Sequence, residues 1–589
     1  MKDSPATLCG AALAVATEAS DAVICQRSDA VLIAADCRPY SDSPEVDLTG
    51  PDAEPDRIEG DFAVAIWNRT EGTLALWRDP MGIRPLFHAT GPDGTFAFCS
   101  LPLPLVDAGF ASGAPQLRPL LGVQMAQYWP GSQTMLQGIH RVPHGHCVTF
   151  SNGALSTRRY AVLQSDRQAA RRSPEDNAEA ARRLLSQAVR RRLPQTGPVA
   201  SQCSGGLDSS ALTVLAANDL APEGREVLAC CAAAPQRDGL DRRDGLQNVH
   251  SLVQSTPGTT LFVAEHQRPE ATWAAPMRRD APTHATGTAD PMNAMFAEAA
   301  ARGIPVLLSG FGGDETISSG GLGEAADALV RLHLPDLLRA ARKLARIEGK
   351  SPWQVVARDV ANRMLSPRAR TRVRRWFGAD ADPMDRLAAY LTPEGHRLIG
   401  GPSTPWRSEA GRRGKLDDGR LAQNAEYMAI FAAKYGVSVA FPFLDRDLVA
   451  FSLGLPADVL TRDGERRWLM RRAMQGVLPE MIRTEAEKIV SDNGALPGFA
   501  AIREELLGEI DRLSGTVAAR YFDLDRMRRD IEALPPYEAA LAEAQANTEA
   551  GRRTSVLPLL FTSALPLAQF LAQNEGTEDG TPEDQDTAS

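Results

Sequence analysis

In PVASQCSGGLDSSALTVLAAND, residues 198–219, a short apolar run is followed by two glycines and then by a stretch rich in Ala and Leu. That order predicts a strand, a tight turn and a helix. Adjacent glycines let the backbone fold sharply and bring N–H groups up to an anion without side-chain obstruction. Ser209 and Ser210 fall at the predicted helix start, where unbonded N–H groups and the helix dipole favour phosphate. Asp208 adds a carboxylate, which suits a phosphate site only if a cation lies between them; Mg2+ on nucleotide phosphates is the usual reason. Ser204, Gly205, Gly206, Leu207, Asp208, Ser209 and Ser210 are therefore the candidate nucleotide-binding residues, with Asp208 also a candidate metal ligand. No Gly-Lys-Ser/Thr follows these glycines, so this is not a Walker loop.

A second loop of the same kind follows the strand-like run IPVLLSG: Gly310, Gly312 and Gly313 lead into Asp314 and Glu315. Doubly wound sheets bind ligands beyond the carboxyl ends of their strands. The two loops are thus expected to share one site, with Asp208 and Asp314 holding one or two Mg2+ ions and Glu315 a candidate general base. EVLACCAA and TTLFVAE read as further strands, and EDNAEAARRLLSQAVRRRL (175–193) has helical spacing with Arg on one face. Strands alternating with helices imply a parallel, doubly wound sheet. The region before residue 165 is different. DAVICQ, AVLIAA, DFAVAIWN, TLALWRD and TFAFCS are short alternating or apolar runs separated by turn residues, the mark of a β-rich unit. The expected domains are residues 1–165, residues 175–573, and an acidic, disordered tail at 574–589 with almost no apolar side chains.

A chain of 589 residues exceeds what one core supports. Its net charge of −10 argues against a nucleic-acid partner, since phosphate neutralisation needs surplus Lys and Arg. No run approaches the length of a membrane span, and the N-terminus lacks signal-peptide order, so a cytoplasmic protein without membrane contact is expected. Eight cysteines show no CxxC pair, which fits reduced thiols. Between Ala325 and Trp376 the sequence reads as helical and dense in arginine, either a solvated face or a surface for an acidic or peptidic partner. His140, His144 and His284 lack metal-ligand spacing.

SGGLDSS looks like the PP-loop of ATP pyrophosphatases, which release AMP. The succession SGGLDSS, SGFGGDE, FPFLDRDLV and ERRWLMRRAMQGVLPEMIR resembles the synthetase half of the asparagine-synthetase family. Gly60-Asp-Phe-Ala63, Arg78-Asp-Pro-Met-Gly-Ile-Arg-Pro-Leu86 and Gly138-Ile-His-Arg-Val-Pro-His-Gly145 look like the scaffold of class II glutamine amidotransferase domains. The resemblance spans roughly residues 20–500. It implies an α/β protein: an N-terminal Ntn-type αββα sandwich, then a PP-loop ATP pyrophosphatase domain with large helical insertions. It also implies ATP and Mg2+, acyl-adenylate chemistry, and Lys488 as the late lysine that stabilises the pentavalent phosphate or tetrahedral adduct. Asp445, Asp79 and Arg84 are expected to be structural.

The family's glutaminase nucleophile is a Cys at position 2, where this sequence has Lys2; Cys9 is the nearest thiol. A degenerate glutaminase domain is expected, with an amine other than glutamine-released ammonia as the nucleophile. β-Lactam synthetases and lasso peptide cyclases are the branches that lack this Cys, and SGFGGDETISSGGLGEAADAL with its Arg-rich sequel looks most like the cyclases. That branch implies a precursor (core) peptide as substrate, with a leader-cleaving protease and a leader-binding protein as partners. The rivals are a ligase joining ammonia or another amine to a small acid, and a catalytically dead scaffold of the same fold.

Overall fold

The computed structural model describes residues 6–8, 11–13, 23–27, 31–40, 48, 54–124, 131–233, 245–265, 285–320, 389–399, 412–417, 419–462, 465–485, 495–549 and 564–574, with scattered positions between 334 and 357. Lys488, His284, nearly all of the Arg-rich stretch and the acidic tail beyond residue 574 lie outside them.

The N-terminal part is built on strands β1 (Ala6–Leu8) and β2 (Ala11–Leu13), which pair with each other, and on β3 (Val23–Arg27), β4 (Val31–Pro39), β5 (Gly60–Asn68), β6 (Thr73–Arg78), β7 (Phe87–Thr90), β8 (Phe96–Cys99), β9 (His140–Arg141), β10 (His146–Ser151) and β11 (Ala154–Arg159). A six-stranded antiparallel sheet runs β11-β10-β6-β5-β4-β3, and a smaller one runs β8-β7-β9. Alternation along β5 explains the layering: Phe62 and Val64 enter one core with Ile33 and Trp77, while Ala63 and Ala65 enter another with Leu76, Leu86 and Val142. Phe96 and Phe98 of the small sheet pack on that second core, so the two sheets face each other. This is the amidotransferase-type sandwich that the motifs around Gly60 and Arg78 imply.

The second part carries the parallel sheet: β12 (Val199–Gln202), β13 (Val227–Ala233), β14 (Thr259–Glu265), β15 (Val306–Leu308) and β16 (Ser438–Ala440), in the order β14-β13-β12-β15-β16. Helix α1 (Pro174–Arg190) precedes it, capped by the Ser173 hydroxyl, which accepts from the Asp176 N–H at 3.1 Å, with Pro174 and two acids in the first turn. Helix α2 (Leu207–Leu220) follows β12, α3 (Leu246–Ser255) follows β13, and α4 (Ala285–Ala301) precedes β15. Both faces of the sheet are covered: Ala200, Leu228 and Leu307 belong to one core, Val199, Ala229 and Leu308 to the other. That double burial is why β13 (VLACCAA) and β15 (VLL) read as unbroken apolar runs. After β12 the chain moves outward through β13 and β14, then returns to lay β15 on the other side of β12. The strand order therefore reverses between β12 and β15, and the two glycine loops leave the sheet at this point.

The two parts interlock through buried charge. Arg84 Nη1 donates to Ser438 Oγ at 2.8 Å, at the edge strand β16. Arg78 and Arg141 both hold Glu426 in helix α5 (Arg420–Ala433), at 3.2 and 2.9 Å. Asp445 caps helix α6 (Arg446–Gly454) and pairs with Arg192 at 2.8 Å, a structural role as the sequence suggests.

Candidate active site

The first loop is closed by its own side chains. Ser209 Oγ accepts the Ser204 N–H at 3.0 Å and lies 3.0 Å from Ser204 Oγ. The first closed bond of this turn runs from Ser210 N–H to the Gly206 carbonyl at 3.1 Å, so the amides of Leu207, Asp208 and Ser209 precede it, where a helix presents donors to an anion. The hydroxyl of Ser209 is thus spent on holding the loop, and the Ser210 side chain is fully buried. Gly205 takes φ +75, and a Cβ there would run into the Gly245 carbonyl at the start of α3. Asn248 Nδ2 donates to the Gly205 carbonyl at 3.2 Å and ties the turn to that helix.

The second loop lies directly against the first. A Cβ on Gly310 would sit 3.2 Å from the Ser209 amide nitrogen, and one on Gly313 would sit 2.8 Å from Asp208 Cγ. Gly312 packs in the same way on Leu444. Ser309 Oγ donates to Gln202 Oε1 at 2.7 Å, bridging the ends of the two strands. These glycines leave a bare-backbone cradle between the helix α2 amides and two carboxylates, which is what a metal-bound polyphosphate requires. The expected nucleotide residues and Asp208 and Asp314 are therefore brought together.

Two arginines outside the glycine–acid motifs complete the surroundings. Arg467 pairs with Asp314 and stands 3.8 Å from Asp208 Oδ2. Arg420 donates to Glu315 Oε1 at 2.7 Å, so the candidate base is held in an ion pair at the start of α5. Arg467 lies in the ERRWLMRRAMQGVLPEMIR segment of the resemblance without being singled out by it, and nothing local in the sequence marks Arg420; both reach the site through tertiary folding.

In the N-terminal part, Asp79 receives the N–H groups of Met81, Ile83 and Arg84, each at 3.0 Å. Burial pushes its carboxyl up to about 6, against the pull of those amides. Burial also pushes the Cys37 thiol up to about 12 and raises Cys147, the wrong direction for a nucleophile.

Replacing Gly205 with Ala is expected to weaken binding of a non-reacting ATP analogue by about tenfold or more, because a side chain in the left-handed region costs about 1–2 kcal/mol before any collision with Gly245. Isothermal titration calorimetry would measure this. Gly224→Ala, at φ +67 with nothing within 4 Å, is the control that carries the strain without touching the loop.

A family model described as asparagine synthase matches residues 180–549, and one described as glutamine amidotransferase domain matches residues 47–161. The putative asparagine synthetase (glutamine-hydrolyzing) of Mycobacterium bovis is 26% identical over 458 residues, covering 72% of this chain and 65% of its own length. Asparagine synthetase (glutamine-hydrolyzing) 3 of Bacillus subtilis is 31% identical over 176 residues, 29% of this chain and 28% of that protein. Asparagine synthetase (glutamine-hydrolyzing) 1 of the same bacterium is 21% identical over 459 residues, covering 72% of this chain and 66% of its own length. The chain thus spans between about a quarter and two thirds of the length of these relatives.

Proposed function

We infer that this chain, which belongs to the asparagine synthase family, is an ATP-dependent ligase that forms an amide bond through an acyl-adenylate. The observation that carries this reading is the meeting of the SGGLDSS and GGDE loops at the point where the strand order reverses, with Asp208 against Gly313. The amides of Leu207, Asp208 and Ser209 bind the phosphates of the substrate ATP, and Asp208 and Asp314 would hold Mg2+, which would supply charge neutralisation for the departing pyrophosphate. A substrate carboxylate attacks the α-phosphorus, and an amine held alongside then displaces AMP, orientation supplying much of the rate. Glu315, oriented by Arg420, takes the amine proton, and Lys488 steadies the charge on the adduct.

The finer assignment is macrolactam formation: the adenylated group is an internal Asp or Glu side chain of a lasso peptide precursor, and the amine is the N-terminus of the same trimmed peptide. Its support is the likeness of residues 309–329 to the lasso cyclases. The protein then works in the cytoplasm beside a leader-cleaving protease and a leader-binding protein. A second reading, amidation of a small acid by ammonia, is favoured by the names of the three relatives.

The test incubates the purified chain and Mg·ATP with a leader-trimmed candidate precursor peptide, and separately with aspartate and ammonia. AMP with a peptide lighter by one water supports macrolactam formation. AMP only with aspartate moves the assignment to the small-acid ligase. ADP in either arm rules out adenylation, and a chain that binds ATP without turning over either substrate, protease added, is a scaffold.

A further inference from the structure

Arg467 is one of two non-glycine residues in the described chain with positive φ, at +59. An L side chain there is sterically disfavoured and persists where its surroundings fix it. The surroundings do so here. Trp468, Leu469 and Met470, which open helix α7 (Trp468–Ala473), are buried immediately after it. Arg471 Nε donates to the Arg466 carbonyl at 3.0 Å and pins the residue before it. The backbone of Arg467 is therefore anchored on both sides, and its guanidinium projects from a fixed point to Asp314 and to within 3.8 Å of Asp208. Asp208 lies against Gly313, the residue before Asp314, and both carboxylates face the same guanidinium.

We propose that Arg467 is the resident counter-ion of this carboxylate pair, a positioning residue that a divalent cation displaces only when nucleotide arrives with it. The proposal rests on the reading of Asp208 and Asp314 as the nucleotide–metal site. A fixed guanidinium competes with a free divalent ion for the same two carboxylates, so the nucleotide-free protein binds that ion weakly. Nucleotide phosphates add ligands for the ion and a new acceptor for the guanidinium, so both cations are satisfied in the complex. The metal site is thereby made conditional on ATP, and the freed Arg467 lies beside the oxygens of the leaving pyrophosphate.

The probe is Mn2+, followed by the electron paramagnetic resonance signal of the free ion, titrated into the full chain with and without α,β-methylene-ATP. Arg467→Gly suits the test because glycine accepts this φ and keeps the helix start. Without nucleotide, Arg467→Gly is expected to bind Mn2+ about tenfold or more tightly than the parent, since a competing charge a few ångströms away is gone, and Arg467→Lys to fall between them. Asp208→Asn in the Arg467→Gly background should abolish the gain. Equal affinity of parent and Arg467→Gly without nucleotide, with nucleotide-dependent Mn2+ binding intact in the parent, overturns the proposal alone. Loss of nucleotide-dependent Mn2+ binding in the parent itself overturns it together with the reading on which it rests.

Discussion

Asp208→Asn is expected to release AMP from Mg·ATP about 10^3-fold more slowly than the parent, because on the proposed function it removes a ligand charge of the catalytic cation, a loss of about 4 kcal/mol of barrier. The substitution keeps the shape of a side chain packed against Gly313, so the loop and the helix behind it have no reason to move. Asp208 stands in the first turn of α2, its side chain 15% exposed, where the strand, the turn and the second loop converge. Steady-state AMP release measures the effect, and an unchanged melting temperature separates it from unfolding. Asp314→Asn should do less than a full second increment when added to it, since two ligands of one ion act as a unit. A loss of less than about tenfold would place the metal elsewhere.

The second large effect lies far from the chemistry. Arg192→Met is expected to destabilise the protein by about 3–5 kcal/mol, the usual cost of removing one partner from a buried ion cluster. Arg192 is fully buried and donates to Asp61 at 2.8 and 3.1 Å, to Asp445 at 2.8 Å and to the Tyr40 hydroxyl at 2.9 Å. Methionine fills the volume but leaves the nearly inaccessible Asp61 without the guanidinium that holds it, and leaves Asp445 with Arg191 alone, at 3.4 Å. Asp61 belongs to the N-terminal sandwich, Arg192 to the segment after α1, and Asp445 to the turn before α6, so the loss falls on the joint between the two parts. Urea denaturation followed by tryptophan fluorescence and by far-ultraviolet circular dichroism reads it. A lowered midpoint is expected, with the N-terminal part becoming sensitive to protease first. A change below about 1 kcal/mol would mean that the joint is carried by its apolar contacts.

This joint is also what the sequence could not reveal. Asp61 and Arg192 are 131 residues apart, and Arg192 and Asp445 253 apart. Each looks like an ordinary surface charge until the fold brings them together, and burial of charge is not encoded by local periodicity. The same holds for Arg467 and Arg420. The parallel sheet, by contrast, was legible because its signal is local. Double-sided burial leaves unbroken apolar runs at 227–233 and 306–308, and glycine turns follow the strands at 199–202 and 306–308. The site was legible for the same reason, since both of its loops are short glycine–acid stretches. Ser209 shows the limit. Its position at the helix start was evident, but only the geometry turns its hydroxyl onto Ser204 and away from a phosphate role. Lys488 and the arginines from Arg358 to Arg375 fall outside the described residues, so the structure adds nothing to their sequence-based roles.

The most direct measurement labels the side-chain carboxylate of whichever acid supports turnover with 18O and follows the label by mass spectrometry. An acyl-adenylate formed at Asp208 and Asp314 requires that one labelled oxygen appear in AMP. Label in inorganic phosphate alongside ADP, or AMP without label, would contradict it.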